Sequence, residues 1–295
     1  MLTFLFEQYG YYPNDLNGNY FTVDKWKFKL IQVECEESYL SEINEYLKNV
    51  RQAFQNCGVY IIKTRYNNFI SLYDGKKYVL ISINHMDMSL RDLNKFHCLF
   101  IENQKKVDLN HIIKVWQERV SMIENNAVNS LRLDSVYYKS NLETTMFCLG
   151  MSQNAIQYLS ETITDYGKTI ENVTVVHKRI NDLNSFDFFN PFNMIIDHPI
   201  KDLSELYKSG FINFEELAEE LKYYNLNSKI ASVLMARLMY NSSVFDQIEN
   251  NIEKKDLSFK INYNVETNFM KLKKAYTLLK NEYNIRPIDW LENSI

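Results

Sequence analysis

The part of the sequence that decides the fold is the stretch Val175–Asn184, which reads VVHKRINDLN. An apolar pair precedes His177, and thirteen residues after Asn184 a second apolar run ends in Asp197. An amide side chain and a carboxylate that ends an apolar run can supply oxygen ligands for Mg²⁺ beside a nucleotide. The stretch therefore predicts metal ligands at Asn184 and Asp197.

This stretch resembles the catalytic core of aminoglycoside-phosphotransferase-like kinases. Their pattern is His-Gly-Asp, then Asn five residues after that Asp, then Ile-Asp. The resemblance implies that Asn184 and Asp197 are the metal ligands and that His177 holds the catalytic loop by hydrogen bonding. The middle of the pattern differs, because Lys178 stands where the family has Gly and Arg179 stands where it has the catalytic Asp.

An arginine at the base position removes the proton-transfer chemistry of the family. In phosphoryl transfer a carboxylate orients the acceptor hydroxyl and accepts its proton, whereas a guanidinium stays protonated in proteins. Arg179 would also place a positive charge beside a metal held by Asn184 and Asp197. We therefore expect a kinase-shaped protein in which the loop of His177, Lys178 and Arg179 contains no catalytic residue.

Two further segments narrow the resemblance. The segment 148–158, CLGMSQNAIQY, is similar to the Gly-Leu-x-Glu-Asn-Ala-Ile-Gln-Tyr stretch of spore-coat kinase-like proteins of the CotS and YutH type. The segment 197–206, DHPIKDLSEL, resembles the Asp-His-Pro-x-Arg-Asp-Leu-Ala-Glu string of the YutH branch. Asp202 matches the structural carboxylate of that string, while Gln153 replaces the usual Glu and Lys201 the usual Arg. The resemblance implies a pseudokinase that serves as a coat component.

The spacing of apolar residues predicts an α+β, two-lobed, protein-kinase-like fold. Residues 1–84 form the N-lobe, a small antiparallel sheet with one helix over 36–56 that ends near Gly58 as a left-handed cap. Residues 85–295 form a mostly helical C-lobe, in which a small hairpin within 173–196 holds the degenerate catalytic loop of 175–203. The predicted strands are 19–23, 26–33, 59–64, 69–72 and 78–83, and the predicted C-lobe helices are 109–126, 141–161, 213–224, 229–241, 244–253 and 265–283.

Nucleotide-binding features are sparse in the N-terminal part. The chain has 7 glycines, and neither GxGxxG nor a P-loop can be written near the N-terminus. Lys29 lies on the strand where the family's nucleotide-anchoring lysine would be sought, although Lys27 fits equally well. Glu37 or Glu42 is the candidate helix partner for this lysine.

Several interpretations of the loop stay open. Asp197 could cap the turn that follows it. Lys178 or Arg179 could pair with Asp197 and fill the metal site as an internal counterion, which we favour over a new anion-binding function. The alternative function is an active phosphotransferase for a small hydroxyl- or amino-bearing metabolite. It requires ATP, Mg²⁺ and a displaced base, for which Asp182 is the candidate.

Composition bounds the location and the partners. The formal net charge of −4 gives no concentrated basic surface for nucleic acid. The sequence contains no run of about eighteen apolar residues, so no membrane span is expected. The charge of Glu7 comes too early in the apolar N-terminal stretch for a signal peptide. The 4 scattered cysteines indicate reduced thiols. We expect a cytoplasmic protein of a Gram-positive bacterium that needs no cofactor, contacts other proteins and is deposited in the spore coat where spores form.

Overall fold

A computed structural model describes residues 1–55, 58–84, 88–101, 105–131, 135–254, 256 and 258–293 of the chain. The chain divides into two compact units. The first comprises Met1–Leu99 and Leu183–Met194, and the second comprises Phe100–Asp182 and Ile195–Ile295. The first unit thus extends past residue 84 and includes part of the loop region.

The five-stranded sheet lies in the first unit, and the second unit is mostly helical. The strands are β1 (Tyr20–Val23), β2 (Trp26–Gln32), β3 (Val59–Ile62), β4 (Ser71–Tyr73), β5 (Lys76–Asn84), β6 (Val107–Asp108), β7 (Thr169–Ile170), β8 (Thr174–His177) and β9 (Met194–Asp197). The helices are α1 (Leu2–Tyr9), α2 (Glu37–Ala53), α3 (Leu90–Leu99), α4 (Leu109–Ser130), α5 (Tyr138–Tyr166), α6 (Ser185–Phe189), α7 (Ile200–Ser209), α8 (Phe214–Tyr223), α9 (Ser228–Met239), α10 (Ser242–Lys254), α11 (Val265–Tyr283) and α12 (Asp289–Glu292).

The first unit is built on an antiparallel sheet with the strand order β1-β2-β5-β3, and β4 also pairs with β5. Both predicted hairpins are present. Two-residue turns join β1 to β2 and β4 to β5, with positive φ at Asp24, Asp74 and Gly75. Asp and Gly accept this conformation at low energetic cost, which is why these turns fix the strand register.

The first unit contains more helix than the sequence predicted. Helix α1 packs Phe4 and Leu5 into the core, and α3 and α6 also belong to this unit. The prediction that Gly58 caps α2 is wrong, because the helix ends at Ala53. A Cβ atom at Gly58 would lie 2.3 Å from the ring of Trp26, so the close approach of this ring is what requires glycine.

The second unit is organised around α9. All residues of α9 from Ile230 to Met239 are buried, and the helix packs against α5, α7 and α11. The strands β8 and β9 form the predicted small sheet at the loop. The C-terminal segment docks on its own unit, where the Tyr158 hydroxyl donates to the Arg286 carbonyl and Leu291 is buried. Together with the sheet of the first unit, these helices confirm the α+β fold class.

Within the described part of the chain, no helix combines the length and the apolar character that a membrane span requires.

Candidate functional site

The loop after β8 is anchored by a carboxylate from α7. The backbone N–H of His177 donates to Oδ1 of Asp202 at 2.9 Å, and Nδ1 of the ring lies 2.7 Å from Oδ2. Both side chains are fully buried. A buried carboxylate is stable only when hydrogen bonds replace its water, and His177 supplies two such contacts. Asp202 thus fixes both the backbone and the ring of the residue that begins the loop.

Lys201, the residue before Asp202, holds the same loop through its backbone carbonyls. Its Nζ atom donates to the carbonyl of His177 and, at 2.8 Å, to the carbonyl of Lys178. Burial disfavours its charged form and lowers the pKa of Lys201 to about 8, although the charges of Asp202 and Glu205 act in the opposite direction. The backbone of the loop is therefore fixed by two consecutive residues of α7.

Asp197 is neutralised by an arginine from α9. Its Oδ2 atom lies 2.7 Å from an Nη atom of Arg237, and its Oδ1 atom accepts from the backbone N–H of His198 at 2.7 Å. The side chains of Asp197 and Arg237 are 6% and 8% exposed. The hypothesis that Lys178 or Arg179 pairs with Asp197 is wrong. An internal counterion is present, but α9 supplies it.

Arg179 is directed towards α10. Its Nε atom donates to Oδ2 of Asp246 at 2.8 Å, and an Nη atom donates to the carbonyl of Lys178 at 2.9 Å. The same carboxylate pairs with Arg119, which also donates to Glu249 at 2.8 Å. The arginine at the base position is thus part of a charged network of α4 and α10, and its side chain is 39% exposed.

The two predicted metal ligands lie in different compact units, Asn184 in the first and Asp197 in the second. Asn184 caps α6, because its Oδ1 atom accepts from the backbone N–H of Phe186 at 2.9 Å. Asp182, the candidate displaced base, is exposed in the turn that precedes it. Across the described residues, no three His, Cys, Asp or Glu side chains are grouped as a metal site.

Lys29 makes aromatic contacts. Its Nζ atom lies 4.6 Å from the ring centroid of Tyr20 and 5.0 Å from that of Phe186. The predicted pairing with Glu37 or Glu42 is wrong, since no salt bridge of Lys29 is found in the described chain. The Glu37 carboxylate instead accepts backbone N–H groups of residues 69 and 70, between β3 and β4.

A family model described as "Spore coat putative kinase YutH" matches residues 3–281. The chain belongs to this family. A search of curated proteins gave no match.

Two solved structures show the fold that the YutH-family chain shares. An aminoglycoside phosphotransferase from Alicyclobacillus acidocaldarius is 9% identical, with 90% of each chain covered and a TM-score of 0.51. Spectinomycin phosphotransferase APH(9)-Ia, solved with ADP and spectinomycin, is 12% identical, with 95% of each chain covered and a TM-score of 0.52. At these identities the likeness shows the fold alone, which is the predicted kinase-like fold.

Arg237 and Asp246 of this YutH-family chain were not among the predicted site residues. Arg237 is the one charged residue in the run IASVLMARLM, and a charge inside a helix that is apolar all round must find a buried partner. That signal identifies Arg237 as a buried ion-pair residue without naming its partner. Asp246 lies on an ordinary amphipathic helix and carries no such signal.

Proposed function

We propose that this YutH-family chain is a kinase-fold protein without phosphotransferase activity, acting through protein contacts as a structural or interaction component of the spore coat. The observation that carries the proposal is the buried salt bridge between Asp197 and Arg237. By resemblance, Asp197 stands where aminoglycoside-phosphotransferase-like kinases have a metal-binding carboxylate. Here a guanidinium already neutralises that carboxylate.

Metal binding at Asp197 competes with this salt bridge. A divalent cation would have to displace Arg237, and the displaced guanidinium would stay buried without its counterion. Leaving one member of a buried ion pair uncompensated costs about 3–5 kcal/mol. Mg²⁺ also gives up its hydration water reluctantly. These opposing terms support a chain that does not bind Mg-ATP productively.

The position of the family base is occupied by Arg179, which pairs with Asp246. A guanidinium does not act as a proton acceptor in proteins. Asp182, on which the alternative phosphotransferase function depends, is exposed to solvent. A general base must lie within hydrogen-bond reach of the hydroxyl it activates, and an exposed carboxylate gives no specific support for such a role.

An exposed aromatic surface of the first unit supports a role in protein contacts. Phe6 and Tyr12 are 47% and 67% exposed, and their ring centroids lie 6.3 Å apart. The guanidinium of Arg65 lies 4.8 Å from the Phe6 centroid. Aromatic side chains and arginine are the residue types enriched in protein interfaces. We infer that the chain is made in the cytoplasm and recruited to the coat through such contacts.

An ATP turnover assay tests the proposed lack of phosphotransferase activity. We expect the purified chain to consume no more ATP with Mg²⁺ than its Asp197→Asn variant. The exposed substitution Glu219→Gln serves as the matched control for handling and purity. ATP consumption that the wild type shows and Asp197→Asn loses would refute the proposal.

Recruitment to the coat tests the interaction role. In a spore-forming host, we expect a fluorescently tagged chain to collect at the coat. The double variant Phe6→Ser and Tyr12→Ser should stay dispersed, whereas Leu72→Ser, which changes an equally exposed apolar residue, should not. Coat recruitment unaffected by the double variant would remove this surface from the proposal.

A further inference from the structure

A small cavity of the second unit is lined by five basic side chains and one carboxylate. Its volume is about 130 Å³. The helices α4, α7 and α9 and the loop after β8 contribute its lining, and we refer to it as the cationic cavity. The basic residues are Arg119, Arg179, Lys201, Lys208 and Arg237, and the carboxylate is Glu205.

Carboxylates of the second unit engage four of the five basic side chains. Lys201 differs, because its Nζ atom donates to the carbonyls of His177 and Lys178 and, among the residues that the structure describes, has no carboxylate within salt-bridge distance. The neighbouring carboxylate of Asp202 is used by His177. The four salt-bridged side chains are Arg119 with Asp246 and Glu249, Arg179 with Asp246, Lys208 with Glu205, and Arg237 with Asp197.

Two buried polar atoms on residues that line the cavity have no partner. They are Nε of Arg237 and the hydroxyl of Tyr240, and no other buried side-chain nitrogen or oxygen in the described residues is left unpaired. Arg237 is 7% exposed and Tyr240 is 4% exposed. The Tyr240 ring stacks on Trp116, with centroids 4.2 Å apart and planes inclined by 9°, so its position is fixed. Native proteins pair nearly all such groups, so these two donors are available to a ligand in the cavity.

We propose that the cationic cavity binds a small tetrahedral oxyanion, either free phosphate or the phosphoryl group of a small phosphomonoester. The Tyr240 hydroxyl and Nε of Arg237 would donate to it, and Arg179 and Lys201 would supply positive charge. A tetrahedral anion offers oxygens in several directions, which matches donors that come from different elements. A cavity of this volume has room for a few water molecules and therefore for an ion of similar size.

Electrostatics agrees with an anion at this place. Burial lowers the pKa of Lys201 to about 8, and burial also lowers the pKa of Lys208 despite its salt bridge with Glu205. Both shifts mean that burial beside the cavity disfavours these two positive charges. A bound anion would offset part of this penalty. The inference does not depend on the absence of kinase activity, since the two concern different ligands.

The test is phosphate binding by the full chain at constant ionic strength, with chloride as the reference anion. We expect inorganic phosphate to raise the melting temperature and to give a binding isotherm by calorimetry, because a ligand of the folded state stabilises it. Tyr240→Phe removes the hydroxyl and keeps the ring, so it should weaken phosphate binding about tenfold. Arg179→Gln, at a half-exposed position, should weaken binding as well.

Tyr158→Phe is the matched control, because it removes a hydroxyl of the same unit that lies outside the cavity and has a partner. It should keep the phosphate affinity of the wild type. O-phosphoserine separates the two ligand sources: binding comparable to phosphate assigns a phosphomonoester, and binding of phosphate alone assigns the free ion. The proposal fails if phosphate has no effect beyond chloride, if acetate binds as well as phosphate, or if both cavity variants bind like the wild type.

Discussion

Two buried carboxylates of the second unit, Asp197 and Asp202, have nearly the same kinds of contact but different roles. Each accepts one backbone N–H, and each has a side-chain nitrogen 2.7 Å away. Asp202 holds the loop at His177, as the family resemblance implies. Asp197 is paired with Arg237. The contacts that fold a catalytic loop can thus be kept while the carboxylate that would bind a metal is neutralised.

Substitution of Asp202, which anchors the loop, should cause the largest loss of stability. We expect Asp202→Ala to lower the free energy of unfolding by about 4 kcal/mol, because the buried ring and the backbone N–H of His177 both lose their acceptor. Urea denaturation followed by circular dichroism measures the loss. The exposed control Glu219→Ala should stay within about 0.5 kcal/mol of the wild type. A loss below about 1 kcal/mol for Asp202→Ala would show that this carboxylate does not anchor the loop.

Removal of Arg237, the counterion of Asp197, should destabilise the folded protein. We expect Arg237→Met to lower the free energy of unfolding by about 3 kcal/mol, because Asp197 is left buried with an unpaired charge. The double variant Asp197→Asn with Arg237→Met should recover part of that loss. A double-mutant cycle measures the coupling between the two positions. Additive effects would mean that the salt bridge contributes no coupling energy.

Glu205 of α7, a third buried carboxylate of the second unit, extends the comparison to pH dependence. Burial alone would raise its pKa, but the charges of Lys208 and Lys201 outweigh burial and lower the pKa from 4.5 to about 2. A lowered folded-state pKa stabilises the protein above 4.5, and the stabilisation is lost as the pH falls from 4.5 towards 2. We expect this loss to reach about 3 kcal/mol.

Glu205→Gln removes the titrating group and should flatten that part of the stability profile. Equilibrium denaturation at a series of acidic pH values, for wild type and variant, provides the comparison. Profiles of equal slope below pH 4.5 would show that Glu205 does not contribute to acid denaturation.

Substitution of Arg179, at the position of the family's catalytic base, should have the smallest effect on stability. Arg179 is 39% exposed, so its salt bridge with Asp246 is screened by solvent. We expect Arg179→Gln to change the free energy of unfolding by less than about 1 kcal/mol. Thermal denaturation measures the change, with Arg237→Met beside it. A loss as large as that of Arg237→Met would mean that the two arginines have equivalent structural roles.

The fold followed from the sequence wherever local signals were strong. The turn at Asp74 and Gly75, the apolar run of β5 and the apolar spacing of α11 each predicted their element. Helix α7 was not predicted, although Ile200, Leu203 and Leu206 recur at helical spacing. Its charged residues Lys201, Asp202 and Glu205 are buried, and the sequence does not reveal that burial. Only the tertiary structure gives such side chains their partners.

The candidate site could be predicted only in part. The substitution at Arg179 is visible in the sequence, and so is the charge of Arg237 within an apolar helix. The pairing of Arg237 with Asp197, 40 positions away, depends on how α9 packs against β9 and α7. The cationic cavity depends in the same way on four separate segments, so no spacing rule reveals it.

The most direct test of the central claim is a calorimetric titration of the wild-type chain with ATP, in Mg²⁺ and again in EDTA. Because Arg237 already neutralises Asp197, the two titrations should agree and show no Mg²⁺-dependent binding. Tight binding of ATP that requires Mg²⁺ and disappears in Asp197→Asn would contradict the account.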